Sequence, residues 1–167
     1  MSMNGLYLEL ENKILAMTGG TGSTIFNHTM VWNNQLNHLI NSDDYSFGLP
    51  AVLIEMGTEN YGDLGQNYMA VDMILKYHII QDFYNGPNMS ENLTIFALRD
   101  AVIKEFNAYQ PTGGGFMSTN NEYQDYDHTN LYHYVIEYVF HFIDDTAVLP
   151  IYYGTATTLT INTDIIP

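Results

Sequence analysis

The chain has 167 residues, of which 46% are hydrophobic and 14% aromatic, enough apolar material for one core and too much for a disordered chain. Nineteen acidic residues face four basic ones (Lys13, Lys76, Arg99 and Lys104), a formal charge of −15 that repels phosphates and excludes gripping of nucleic acid. There is no Cys, so disulfides and thiolate metal sites are excluded and an intracellular or virion setting is expected. The first residues show no basic stretch followed by an apolar run, and no apolar run reaches the ~18 residues of a membrane span; neither a secretory signal nor a membrane association is expected.

In chain order, Leu6, Leu10, Ile14 and Met17 are spaced at three to four and predict an amphipathic helix over 6–17, stopped by Gly19-Gly20. The segment Gly19-Gly20-Thr21-Gly22-Ser23 lacks the Lys of a phosphate-binding loop and reads as a turn. Residues 24–32 are rich in β-branched and aromatic side chains and predict a strand, followed by a polar stretch to Gly48. Ala51–Met56 predicts a buried strand in which Glu55 needs either solvent or a partner. Residues 57–67, polar and with three Gly, read as a loop.

Residues 68–80 alternate strictly, with Met69, Val71, Met73, Leu75, Tyr77 and Ile79 on one face and Asp72, Lys76 and His78 on a wetter one. Ser90 is placed to cap a helix whose apolar stripe is Leu93, Phe96, Ala97, Val102, Ile103 and Phe106, ending before Pro111. A strand is expected over 116–123. A second alternating strand is expected over 130–143, with Tyr132, Tyr134, Ile136, Tyr138, Phe140 and Phe142 on one face. The connections are too short for parallel crossovers except around the second helix. The expected fold is therefore α+β: a mostly antiparallel sheet with two main helices packed on one face over residues 1–145, and an extended C-terminal arm over 146–167.

Catalytic equipment is sparse. No Ser lies in a Gly-x-Ser-x-Gly elbow and no Cys exists to act as a nucleophile. The polar cluster Asp125, Asp127 and His128 has the donors for a divalent ion but matches no calcium-loop or zinc spacing, so no metal and no cofactor is expected; it reads as a hairpin loop available to an assembly interface. His133 and His141, eight residues apart on one strand face, are roughly 26 Å from each other and cannot share an ion. The tyrosine row lacks the basic surroundings of a base-stacking platform, and faces a core or a subunit interface instead.

The order helix, strand ending Val31-Trp32-Asn33-Asn34-Gln35, Pro50-Ala51-Val52-Leu53-Ile54-Glu55, long alternating strand, helix, and Asp125-Tyr126-Asp127-His128-Thr129-Asn130-Leu131-Tyr132 resembles the tail-terminator (tail-completion) proteins of bacteriophages over residues 6–144. That resemblance implies a structural, non-enzymatic subunit of a homo-oligomeric ring, a hexamer or dodecamer, at the head-tail junction of a virion assembled in the host cytoplasm. Its implied partners are further copies of itself, the portal or adaptor and the tail or tail-tube proteins, with DNA passing through unbound.

Two groups of residues follow from that reading. The apolar series Ile151, Tyr152, Tyr153, Leu159, Ile161, Ile165 and Ile166 is too short for its own core and is expected to seat on a neighbouring subunit. Asp43, Asp44, Glu59 and Asp63, placed in polar loops, are expected to face the channel. A small metal-dependent enzyme and a soluble binding module using the tyrosine face are the competing readings.

Overall fold

The computed structural model describes residues 1–20, 22–38, 47–82, 94–127 and 131–148. Its elements are α1 (Met3–Leu15), β1 (His28–Val31), α2 (Gln35–His38), β2 (Ala51–Gly65), β3 (Tyr68–Asp82), α3 (Thr94–Phe106), β4 (Ser118–Asp125) and β5 (Leu131–Asp144). The five strands form one sheet in the order β1-β2-β3-β5-β4. The fold is α+β, as its periodicities predict.

Helix α1 starts earlier than its apolar stripe implies because Ser2 caps it, its hydroxyl accepting from the Gly5 N–H at 3.2 Å. Leu6, Leu10 and Ile14 are its buried stripe, and Ile95, Leu98, Val102 and Phe106 are that of α3. Both stripes lie on one face of the sheet, against Val71, Met73, Leu75, Tyr77 and Ile79 of β3 and Ile136, Tyr138, Phe140 and Phe142 of β5. The tyrosine row is therefore spent on packing: Tyr138 is fully buried, and Tyr132 and Tyr134 lie partly buried against the same core. Arg99 of α3 ties the helix layer to β4 by a bidentate pair with Glu122, at 2.8 and 2.5 Å. The expected cap Ser90 lies outside the described residues.

Among the described residues, the opposite face is covered at one end. There Leu36 of α2 and Phe47 close over Ala51, Leu53, Ile80 and Leu131 in a second, smaller core.

Three expectations require correction. Phe96 and Ala97, expected in the apolar stripe of the second helix, are exposed, and Ile95 and Leu98 are buried in their place. β1 pairs in parallel with β2, through His28↔Ala51 to Val31↔Ile54, across the polar stretch in which the short α2 is the helix among the described residues. Around α3 the expected crossover does occur, since β4 runs in the sense of β3 with β5 antiparallel between them.

Residues 57–65, read as a loop, continue β2 instead. β2 and β3 form one hairpin closed by Gln66 and Asn67, both with left-handed backbone (φ 53° and 66°), the geometry that matches strand twist in a two-residue turn. Gly65, at φ 80°, precedes them, and its N–H donates to the Asp63 carboxylate at 2.7 Å. Glu59 and Asp63 are thus exposed strand residues, and they do not project from a loop.

Candidate functional site

The polar residues that the fold brings together lie on the sheet face away from the helices, where four strands each contribute. Glu55 comes from β2, Lys76 and His78 from β3, His133 from β5 and Asp125 from β4. Register makes the meeting: Glu55 lies opposite Lys76, and Asp125 opposite His133. His78 Nδ1 is 2.9 Å from His133 Nε2. On the outer sides, His78 Nε2 is 3.0 Å from Glu55 Oε2, and His133 Nδ1 is 3.2 Å from Asp125 Oδ2. Lys76 Nζ adds a contact of 3.3 Å to Glu55 Oε1.

The result is a polar line, Lys76–Glu55–His78–His133–Asp125, crossing the sheet obliquely to its strands, since Glu55 is level with Lys76 and His133 with Ile80. The side chains of the two histidines are 5% and 2% exposed, whereas the carboxylates at the ends keep about a third of theirs in water (36% and 29%). Trp32 closes the line from above. Its backbone N–H donates to the Ile54 carbonyl at 2.8 Å, and its ring lies flat on His78 at 3.9 Å between centroids and 6° between planes.

Charge and burial act in opposite senses here. Burial pushes the His78 imidazolium pKa below its ordinary value, with Glu55 opposing the shift. Partial burial works to raise Glu55, but hydrogen bonds from His78 and Lys76 outweigh it and hold the carboxyl below the usual range. Each nitrogen of His78 already faces a partner, His133 on one side and Glu55 on the other, so the ring has no nitrogen left to offer a substrate.

A second polar group lies further along the same face. His141 Nδ1 is 2.5 Å from Asp72 Oδ1, and Asn60 donates to Asp72 Oδ2 at 3.2 Å. The hydrogen bonds from Asn60 and His141 hold Asp72 below its ordinary pKa. Asp72 and His141 border an open cleft of about 410 Å³ beside Ile74, Val139 and the exposed Phe116.

Of the residues singled out in the sequence, Asp125 requires correction: it is the last residue of β4 and points to His133 rather than standing free in a hairpin loop. Asp127 is exposed just beyond it, its N–H donating to Asp125 Oδ1 at 3.0 Å. His128, Asp43, Asp44 and the arm residues Ile151, Tyr152, Tyr153, Leu159, Ile161, Ile165 and Ile166 lie outside the described residues. Among those described, no group of three or more His, Asp or Glu side chains could hold a metal ion, and no helix is long and apolar enough to cross a membrane.

Trp32, Lys76 and His78 escape a search for catalytic motifs because only strand register joins them; the sole local signal was an acid, Glu55, inside an apolar strand. No protein-family model matches the chain, and no curated protein matches it.

Proposed function

We propose that the chain is a structural subunit of a homo-oligomeric ring, a tail terminator or neck protein at the head-tail junction of a bacteriophage, lining part of the channel through which DNA leaves. The observation that carries the reading is the pair of open strand edges. Among the described residues, β2 beyond Ile54 pairs only with β3, and β4 pairs only with β5, so two edges face outward on opposite sides of one sheet. Unlike surfaces on opposite sides of a subunit favour head-to-tail contact, which closes into a ring when the rotation per subunit allows it. The charge of −15 supports a channel that DNA passes without sticking.

The test is mass in solution, measured by light scattering on the purified chain alone and after mixing with portal and tail assemblies of the same particle. A single discrete species of six or twelve copies, alone or on such a platform, is the expected result. A monomer under both conditions rejects the ring.

The acids provide a second test. Asp43, Asp44, Glu59 and Asp63 are proposed as channel-facing, the last two now carried on the exposed stretch of β2. Replacing all four with Lys should slow DNA ejection, most at low salt where the Debye length is about 30 Å. Unchanged ejection from correctly assembled particles removes the acidic collar.

A further inference from the structure

We propose that residues 155–163 of one copy pair, as an added strand, with the open side of β2 over residues 55–65 in a second copy. The inference rests on the ring reading, since it needs another copy alongside, and it commits the arm to one edge of the sheet, β2 rather than β4.

β1 holds the outer side of β2 from Ala51 to Ile54; from Glu55 to Gly65 that side has no partner strand among the described residues. This leaves about 36 Å of strand edge with backbone N–H and C=O groups to offer. Two large apolar side chains stand exposed on it, Tyr61 at 62% and Leu64 at 57%. Tyr61 lies opposite Val71 of β3, a core residue, so an apolar side chain set beside Tyr61 would prolong an existing row.

The sequence past the described residues holds a matching strand. From Thr155 to Thr163, Leu159 and Ile161 share one phase of a two-residue period with Thr155 and Thr157, while the other phase holds Ala156, Asn162 and two further Thr. The stretch contains no Pro, no Gly and no charge. Charge matters here because Glu59 and Asp63 lie along the edge and each copy carries −15; an acidic strand would be repelled, and this one is not.

The path of the chain assigns the strand to a second copy. Ala147 lies beside Tyr61, Gly62, Asp63 and Met69, lining with them an open cleft of about 390 Å³, so the chain leaves β5 level with residue 62 of its own β2. Running back antiparallel to that strand, eight residues on, Thr155 would come level with about residue 54, where β1 already holds the edge. Pro150, which has no N–H to give, and Gly154 would fill the ladder instead. A parallel approach must first return to residue 55, about 23 Å away, whereas residues 149–154 span only about 20 Å and would still have to turn. Led outward, the same residues carry Thr155 about 20 Å from the domain, within reach of a neighbour's edge.

Cysteine linking tests this, because the chain has no Cys of its own. Two full-length variants, Glu59→Cys on the edge of β2 and Thr158→Cys in the arm, are co-expressed with tags of different size and treated with a short bismaleimide. A linked pair carrying one of each tag is the expected product. Adding Thr160→Pro and Thr163→Pro to the arm chain should abolish it, since in either phase of the strand one of these prolines removes an N–H that faces β2; linking that survives both prolines overturns the pairing. Asn121→Cys, on the open side of β4, should give no linked pair in place of Glu59→Cys. A link to Asn121→Cys, or linking confined to single chains that carry both Glu59→Cys and Thr158→Cys, overturns the proposal. Light scattering on the same samples separates the two ideas. No linked pair from assemblies of six or twelve copies defeats this seat for the arm and leaves the ring standing, whereas no linked pair from a chain that stays monomeric, alone and with portal and tail assemblies, defeats both.

Discussion

Phe106→Ala should destabilise the domain by about 3–5 kcal/mol, near the top of the range for a single core truncation. Phe106 ends the buried stripe of α3 and is fully enclosed. Its ring lies 4.7 Å from that of Tyr77 and meets Tyr109 edge-on at 5.9 Å, while Lys13 of α1 reaches over it, Nζ at 5.7 Å from its centroid. One truncation thus empties the point where α1, α3 and β3 meet.

The control is Tyr77→Phe. The Tyr77 hydroxyl is buried without a hydrogen-bond partner among the described residues, and burial pushes its pKa well up. Removing that oxygen should be neutral or stabilise by up to about 1 kcal/mol, because an unpaired buried hydroxyl costs more than its packing returns. Urea denaturation measures both variants. A loss under about 1 kcal/mol for Phe106→Ala would mean that the helix layer is not packed as described.

Deleting residues 149–167 should remove assembly and leave a folded monomer. Among the described residues, the buried side chains of both cores run from Leu6 to Phe142 and already join the sheet to its helices. The deleted segment carries eight large apolar side chains, Leu149, Ile151, Tyr152, Tyr153, Leu159, Ile161, Ile165 and Ile166, and one charge, Asp164. Such a series needs a surface, and strand addition to an open edge of a neighbouring copy would supply one. Size-exclusion chromatography with light scattering reads the assembly, and circular dichroism reads the fold. A truncated chain that unfolds outright places the arm in its own subunit's core and defeats the proposal.

The sequence displayed best what burial had written into its periodicity. β3 and β5 alternate for more than ten residues because one of their faces meets the helices, and α1 and α3 repeat at three to four for the same reason. The second half of β2 left no such trace. Both its faces meet water, so Glu59, Asn60, Tyr61, Gly62, Asp63 and Leu64 carry no pattern, and only the cross-strand partners on β3 make them a strand. The turn was equally quiet, since Gln66 and Asn67 adopt a backbone usually announced by Gly. The histidine line depends on contacts spanning 23 and 55 residues, which register alone creates. Asp125 was singled out for its loop neighbours Asp127 and His128, whereas its partner is a strand residue, His133.

β2 and β3 run 15 residues each, about 50 Å of strand, while α1 and α3 have 13 residues each, about 20 Å of helix. Among the described residues β2 therefore outruns its cover, passing from buried at Ala51–Ile54 through half-buried at Glu55–Thr58 to exposed over 59–65, with a register shift between Thr58 and Tyr61 at the start of the exposed stretch. Its neighbour β3 does not follow it into solvent: Val71 and Met73 stay in the core, and β3 pairs with β5 as far as Met69↔Asp144. The end of β2 is thus a bare rim on a braced sheet, anchored along one side only, and a segment that paired with its other side would be held at a fixed height and direction by the strands beneath.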